Sequence, residues 1–194
     1  YVYLGLTLAC IAGYWLAGMT VFDAICHGFA TLATGGFSTH DASLAYFDSP
    51  LIDMIAIVFM TLAGMNFTLH FVAFRTRTWR SYAGDTELRA YLGILITAAA
   101  FIAAFLVLEK HYPDPLEAIL AAAFQVVSIM TTTGFTTTDF SIWPGSLPVL
   151  LVFIMFVGGC GGSTSGGMKV IRWLLLYRQG SREVVRLVHP AAEI

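Results

Sequence analysis

Residues 31–43 read TLATGGFSTHDAS and residues 131–145 read TTTGFTTTDFSIWPG. Thr34, Gly36, Phe37, Thr39 and Asp41 spell T-x-G-F-x-T-x-D, and Thr132, Gly134, Phe135, Thr137 and Asp139 spell it again 98 residues later. Each copy follows a short apolar segment, residues 22–32 or 116–130, and precedes a proline-marked stretch (Pro50; Pro144) that leads into a long apolar run. The repeated unit is therefore helix, short helix, loop, helix. Internal duplication is a frequent ground plan of membrane transport proteins.

The surrounding chain fits that setting. Of its 194 residues, 58% are hydrophobic and 11% charged, with mean hydropathy +0.78, which leaves too little polar surface for a water-soluble globule. Four runs are long enough to cross a bilayer: residues 1–18, 51–74, 88–108 and an interrupted 147–177. The net charge of −2 matters less than where the basic residues fall. Apart from Lys110 they form two patches: Arg75, Arg77, Arg80 and Arg89, then Lys169, Arg172, Arg178, Arg182 and Arg186. The positive-inside rule makes both patches cytoplasmic and puts residues 35–50 and 110–145 on the other side. The chain opens on Tyr1 without a signal peptide's basic flank and reads as an internal piece of a longer polypeptide.

The two short segments carry acids near their starts (Asp23; Asp114 and Glu117), where a helix dipole favours negative charge, and Pro113 and Pro115 suit a helix start. They read as re-entrant helices or, on position alone, as interfacial amphipathic ones. The loops favour the first reading, because irregular backbone survives at membrane depth only where it is buried in protein or lines a watery cavity. Gly36 and Gly134 accept positive φ, which lets consecutive carbonyls turn toward one axis. Carbonyl rings of that kind replace the hydration shell of a potassium ion. Thr34, Thr132 and Thr133 add oxygens, and Phe37 and Phe135 are expected to wedge the loops against neighbouring helices. Asp41 and Asp139 either concentrate cations at the outer mouth or cap a turn.

A second stretch, Gly158-Gly159-Cys160-Gly161-Gly162-Ser163-Thr164-Ser165-Gly166-Gly167, puts six glycines in ten residues inside the fourth apolar run. No stable helix has that composition. Met168 follows Gly167, and Lys169 has no Ser or Thr after it, so the phosphate-loop pattern fails. What remains is a break in a membrane helix, read as a mobile gate below the loops or as a close helix-packing surface. Lys169 and Arg172 then begin the cytoplasmic side or stand as charges near a pore.

Asn66 and His70 in the second run serve packing or pore contact, with hydrogen-bonded packing preferred. His27, His111 and His189 have no ligand-like spacing, and Cys10, Cys26 and Cys160 read as small buried residues instead of a disulfide or zinc set. Trp15, Trp79 and Trp143 fit interfacial anchors. An intramembrane hydrolase would use Ser163 or Ser165 with His70 or His111 as base, but no motif joins them.

At the two loops and at residues 156–172, FVGGCGGSTSGGMKVIR, the chain resembles the TrkH/TrkG branch of the Trk, Ktr and HKT cation transporters over essentially its whole length. The resemblance implies an all-α membrane protein of potassium-channel-like units, each a helix, re-entrant pore helix, filter loop and helix, with one membrane helix broken. Four such units surround one pore in that family. Residues 1–75 would be the second and 90–178 the third, joined by a basic cytoplasmic loop at 76–89, with 179–194 a cytoplasmic segment. It further implies a filter at Thr34, Gly35, Gly36, Thr132, Thr133 and Gly134. The implied gate is Gly158, Gly159, Gly161, Gly162, Ser163, Thr164, Ser165, Gly166 and Gly167 with Lys169.

The expected function is potassium uptake across a bacterial inner membrane by a multi-pass protein, without enzymatic activity. Potassium is cargo, not a catalytic cofactor. Expected partners are the two remaining repeats of the parent chain, a second copy in a homodimer, a cytosolic TrkA-type nucleotide-binding regulator and membrane lipid, with no nucleic acid. Sodium or mixed monovalent cation transport is the alternative. Serine in place of a filter glycine marks some sodium-conducting relatives, and both copies here keep glycine. Symport is attributed to some relatives, yet no acidic residue sits mid-span to carry a proton.

Overall fold

The structure, a computed structural model, describes residues 1–188, so His189 and the rest of the expected cytoplasmic segment at 189–194 lie outside the described residues. The elements are α1 (Val2–Leu16), α2 (Val21–Leu32), α3 (Pro50–Ala63), α4 (Phe67–Thr76), α5 (Arg80–Gly84), α6 (Thr86–Leu108), α7 (Pro115–Met130), α8 (Leu147–Val157) and α9 (Val170–Val188), with 3-10 turns at Ser43–Phe47 and Phe140–Ile142. No strand occurs among the described residues. The all-α class and the two helix, short helix, loop, helix units stand as expected.

Local chemistry sets the helix starts. Thr20 caps α2 by accepting from Asp23 N–H, Asp85 caps α6 by accepting from Leu88 N–H, and Asp114 caps α7 by accepting from Leu116 N–H. Pro115 occupies the first turn of α7, where no backbone donor is lost. The acids at both short-helix starts therefore sit at the positive ends of helix dipoles.

Within each unit the first helix packs along the short one, α1 on α2 and α6 on α7, while α3 crosses onto α7 and joins the two units. The shared core contains Tyr14, Leu32, Met60, Tyr91, Ile102, Leu106, Phe124, Met130 and Leu151, all buried. Among the described residues only α6, with 23 residues, is long and apolar enough to cross a membrane as a single helix.

Three expectations change. Residues 51–74 do not form one straight span: α3 and α4 meet at a bend of 93°. The break falls at residues 64–66, where Asn66 starts a new helix by accepting from Thr68 N–H. Asn66 and His70 therefore share α4 as cap and buried residue, and His70 bonds Tyr82 Oη at 2.8 Å and the Leu62 carbonyl at 3.0 Å, the packing role. Trp143 is no interfacial anchor: it is 3% exposed and its indole N–H donates to Tyr112 Oη, whereas Trp15 and Trp79 are exposed. Cys10 and Cys160 are buried, but Cys26 is only half-buried.

The second helix of both units is thus broken at the same stage. The interruption at residues 64–66 is a short elbow; that at residues 158–169 is a full loop.

Candidate functional site

The duplicated motif folds the same way twice. α2 and α7 end at equivalent residues, Leu32 and Met130. Thr34 (φ 50°) and Gly36 (φ 66°) are left-handed, as are Thr132 (φ 57°) and Gly134 (φ 86°), while Gly35 and Thr133 between them are not. Alternating handedness is the backbone pattern that swings successive peptide groups to one side. A left-handed threonine costs energy that surrounding structure must offset. Here Thr34 Oγ1 donates to the Ala33 carbonyl, and Thr132 Oγ1 accepts from Gly166 N–H at 2.6 Å. The carbonyl ends of α2 and α7, negative by the helix dipole, lie next to these loops.

The loops are braced from their own short helices. The His27 ring lies 2.8 Å from the Asp23 carbonyl through Nδ1 and 2.9 Å from Ser38 Oγ through Nε2. A carbonyl can only accept, so Nδ1 holds a proton, and Nε2 pairs with the Ser38 hydroxyl. Gln125, the matching residue 98 positions on, donates to the Thr138 carbonyl. Ser128 Oγ donates to the Phe135 carbonyl at 2.6 Å, and the Thr131 and Thr133 hydroxyls pair at 2.8 Å. Asp23 accepts from Thr20 and Thr39 hydroxyls, closing the first loop's outer strand onto the start of α2.

The two loops also meet each other. A side chain at Gly36 would run into the Thr133 carbonyl, so the first loop's left-handed glycine abuts the second loop's backbone. Ala45 N–H donates to the Thr136 carbonyl, and Thr136 N–H donates to Ser43 Oγ. The wedge expectation holds for one phenylalanine: Phe135 is fully buried against the His27 ring, whereas Phe37 is 81% exposed among the described residues. Asp139 caps the Phe140–Ile142 turn, and hydrogen bonds from the Ser141 hydroxyl and backbone N–H hold its carboxyl below the usual range. It stays ionised at neutral pH in a structural role.

The glycine-rich loop lies against both motif loops. Thr164 Oγ1 is placed to donate to the Leu32 carbonyl at 2.9 Å and the Ala63 carbonyl at 3.2 Å, and Gly166 reaches Thr132 as above. Cys160 N–H donates to the Gly64 carbonyl at 2.8 Å, and Phe67 N–H donates to the Gly162 carbonyl at 3.1 Å, so the elbow at residues 64–66 and this loop satisfy each other's orphan backbone groups. Lys169 Nζ donates to the Ser163 and Ser165 carbonyls, tying the loop's polar turn to its own exit. Gly158 (φ 73°) and Gly167 (φ 76°) pinch the loop at its base, where a Cβ on Gly167 would stand 2.7 Å from Gly158 Cα.

The structure therefore gathers every expected filter and gate residue into one assembly. Among the described residues the serines have no histidine partner: Ser163 Oγ donates to the Cys160 carbonyl, and Ser165 Oγ accepts from Gly159 N–H. Residues that sequence reading left aside are Gly64, the His27 and Gln125 braces, and Glu87, which reaches the loop from α6. The 98-residue offset, extended upstream of the motif, pairs His27 with Gln125 and would have found those two.

The family model described as TrkH, cation transport protein, matches residues 1–194. The Trk system potassium uptake protein TrkH of Vibrio parahaemolyticus is 57% identical over 99% of this chain and 40% of its own length. Its namesake in Escherichia coli K12 is 50% identical over 98% of this chain and 40% of its own length. TrkG of the same strain is 38% identical over 96% of this chain and 38% of its own. The crystal structure of the potassium transporter TrkH from Vibrio parahaemolyticus superposes with a TM-score of 0.95 at 54% identity, covering 100% of this chain and 42% of that one. The chain spans about 40% of the length of the curated relatives it matches. On this evidence the chain belongs to the TrkH family of cation transport proteins.

Proposed function

We propose that these residues form two adjoining quarters of a potassium-conducting pore in a longer inner-membrane protein. Thr34, Gly35, Gly36, Thr132, Thr133 and Gly134 present their oxygens to the ion, and the 158–167 loop blocks or opens the path beneath them. The observation that carries the reading is the repeated left-handed pattern at Thr34/Gly36 and Thr132/Gly134, each at the carbonyl end of a short helix, with one loop seated against the other. Among the described residues no charged side chain bonds a carbonyl of residues 34–36 or 132–134, which suits a monovalent cation stripped of water by neutral oxygens.

Two further copies of the unit elsewhere in the parent chain complete the ring, residues 1–75 and 90–178 being the second and third. The parent works as a homodimer under a TrkA-type nucleotide-binding regulator, with lipid around its apolar surface. The basic residues around 76–89 and beyond Lys169 face the cytoplasm, where the regulator docks.

The test is rubidium against sodium uptake in potassium-transport-deficient bacteria expressing the full-length parent, wild type against Gly134→Ser. A Cβ at Gly134 meets nothing within 4 Å among the described residues, so the protein is expected to fold. Serine resists φ 86° by about 1–2 kcal/mol and turns the carbonyl, so preference for potassium over sodium should fall about tenfold. Unchanged selectivity would remove Gly134 from the filter.

A further inference from the structure

Glu87 sits in the first turn of α6, a position where a carboxylate is ordinarily solvated, yet it is only 9% exposed. Its Oε1 accepts from Gly161 N–H at 2.6 Å and from Ile171 N–H at 3.1 Å. Gly161 lies inside the glycine-rich loop, and Ile171 lies in the first turn of α9, the helix that resumes the broken span. One carboxylate oxygen therefore ties the middle of the loop to the helix that follows it.

The other ties on this loop differ in kind. Thr164 to Leu32 and Ala63, Gly166 to Thr132 and Cys160 to Gly64 are bonds between neutral groups. Lys169 bonds within its own segment. Glu87 supplies charge-assisted bonds from outside the loop, and such bonds are roughly twice as strong as neutral ones. It also supplies an acceptor for an orphan N–H at the start of α9, where the helix dipole favours a negative group. α6 makes a firm anchor, because it packs extensively on α7, the helix that carries the second motif loop.

We propose that Glu87 is the clasp of the glycine-rich loop, a positioning residue that fixes the loop beneath the motif loops by holding Gly161 and Ile171 together. Moving the loop aside requires the Gly161 bond to break, while the Ile171 bond keeps Glu87 aimed at the loop from the start of α9. The inference rests on reading the loop as the gate.

The loop carries its own reporter. Cys160 is 1% exposed, a neighbour of Gly161, and its thiol becomes reachable by water-borne reagents only if the loop leaves its seat. The experiment uses full-length parent protein in proteoliposomes, with Cys160 as its sole cysteine, and reads the rate of Cys160 modification by a charged methanethiosulfonate together with resting rubidium flux. Glu87→Ala is expected to speed modification about tenfold and raise the flux with it. Glu87→Gln keeps an oxygen acceptor but loses the charge, and should give a smaller rise in both. If the alanine variant fails to fold, the glutamine variant carries the test.

Unchanged Cys160 reactivity in folded variants would overturn the clasp, whatever the flux does. Faster modification with unchanged flux would uphold the clasp and instead remove the loop from the role of gate.

Discussion

Serine at Gly36 is expected to abolish potassium uptake by the full-length parent, a larger loss than serine at Gly134 causes. Two costs combine at Gly36. Its φ of 66° is strained for a residue with a side chain, at about 1–2 kcal/mol. The added Cβ also overlaps the Thr133 carbonyl, which is backbone and has no rotamer to retreat into. Relief means separating the two loops, and with them the bonds between Ala45, Thr136 and Ser43. Gly134 meets only the first cost. Rubidium uptake normalised to membrane protein level should therefore fall at least about tenfold for Gly36→Ser, with a lowered melting temperature in detergent. Equal effects at the two glycines would contradict the close seating of one loop on the other.

Alanine at Gly167 should act in the opposite direction, raising cation flux at rest. The base of the glycine-rich loop closes because Gly158 and Gly167 approach with no side chains between them. A methyl on Gly167 would lie 2.7 Å from Gly158 Cα while its backbone stays at φ 76°. The strands at the base must part, and the loop loses its seat on Thr132, Leu32 and Ala63. Resting rubidium flux into proteoliposomes should rise severalfold. A flux equal to wild type in folded protein would mean that the pinch does not control the pore.

Much of this architecture is legible in the chain because it rests on local rules. The ends of α2 and α7 follow from threonine and glycine after an apolar stretch, their starts from Asp23, Asp114 and Pro115, and the break after Val157 from six glycines. Repetition turns two weak loop signals into one strong one.

What the chain conceals depends on distant partners. Gly64 is a lone glycine in an apolar run, a feature that helices tolerate. The elbow there exists because the Gly64 carbonyl accepts from Cys160 and the Gly162 carbonyl takes Phe67 N–H. Trp143 belongs to a type that favours interfaces, but Tyr112 offers its indole a partner inside the protein. Glu87 stands among basic and polar residues typical of a solvated loop, and only the fold reveals its bonds to Gly161 and Ile171. Phe37 and Phe135 occupy the same motif position yet differ in burial, because the second loop has the first unit beside it.

A pore of this kind requires monovalent cations to sit among the carbonyls of residues 34–36 and 132–134. Crystals of the full-length parent grown in rubidium, with anomalous data collected at the rubidium edge, answer that directly. The expected result is a column of anomalous peaks on the axis between the two loops, within coordination distance of the Thr34, Gly35, Thr132 and Thr133 carbonyls. Rubidium bound elsewhere in well-ordered crystals, with none between these loops, would contradict the filter.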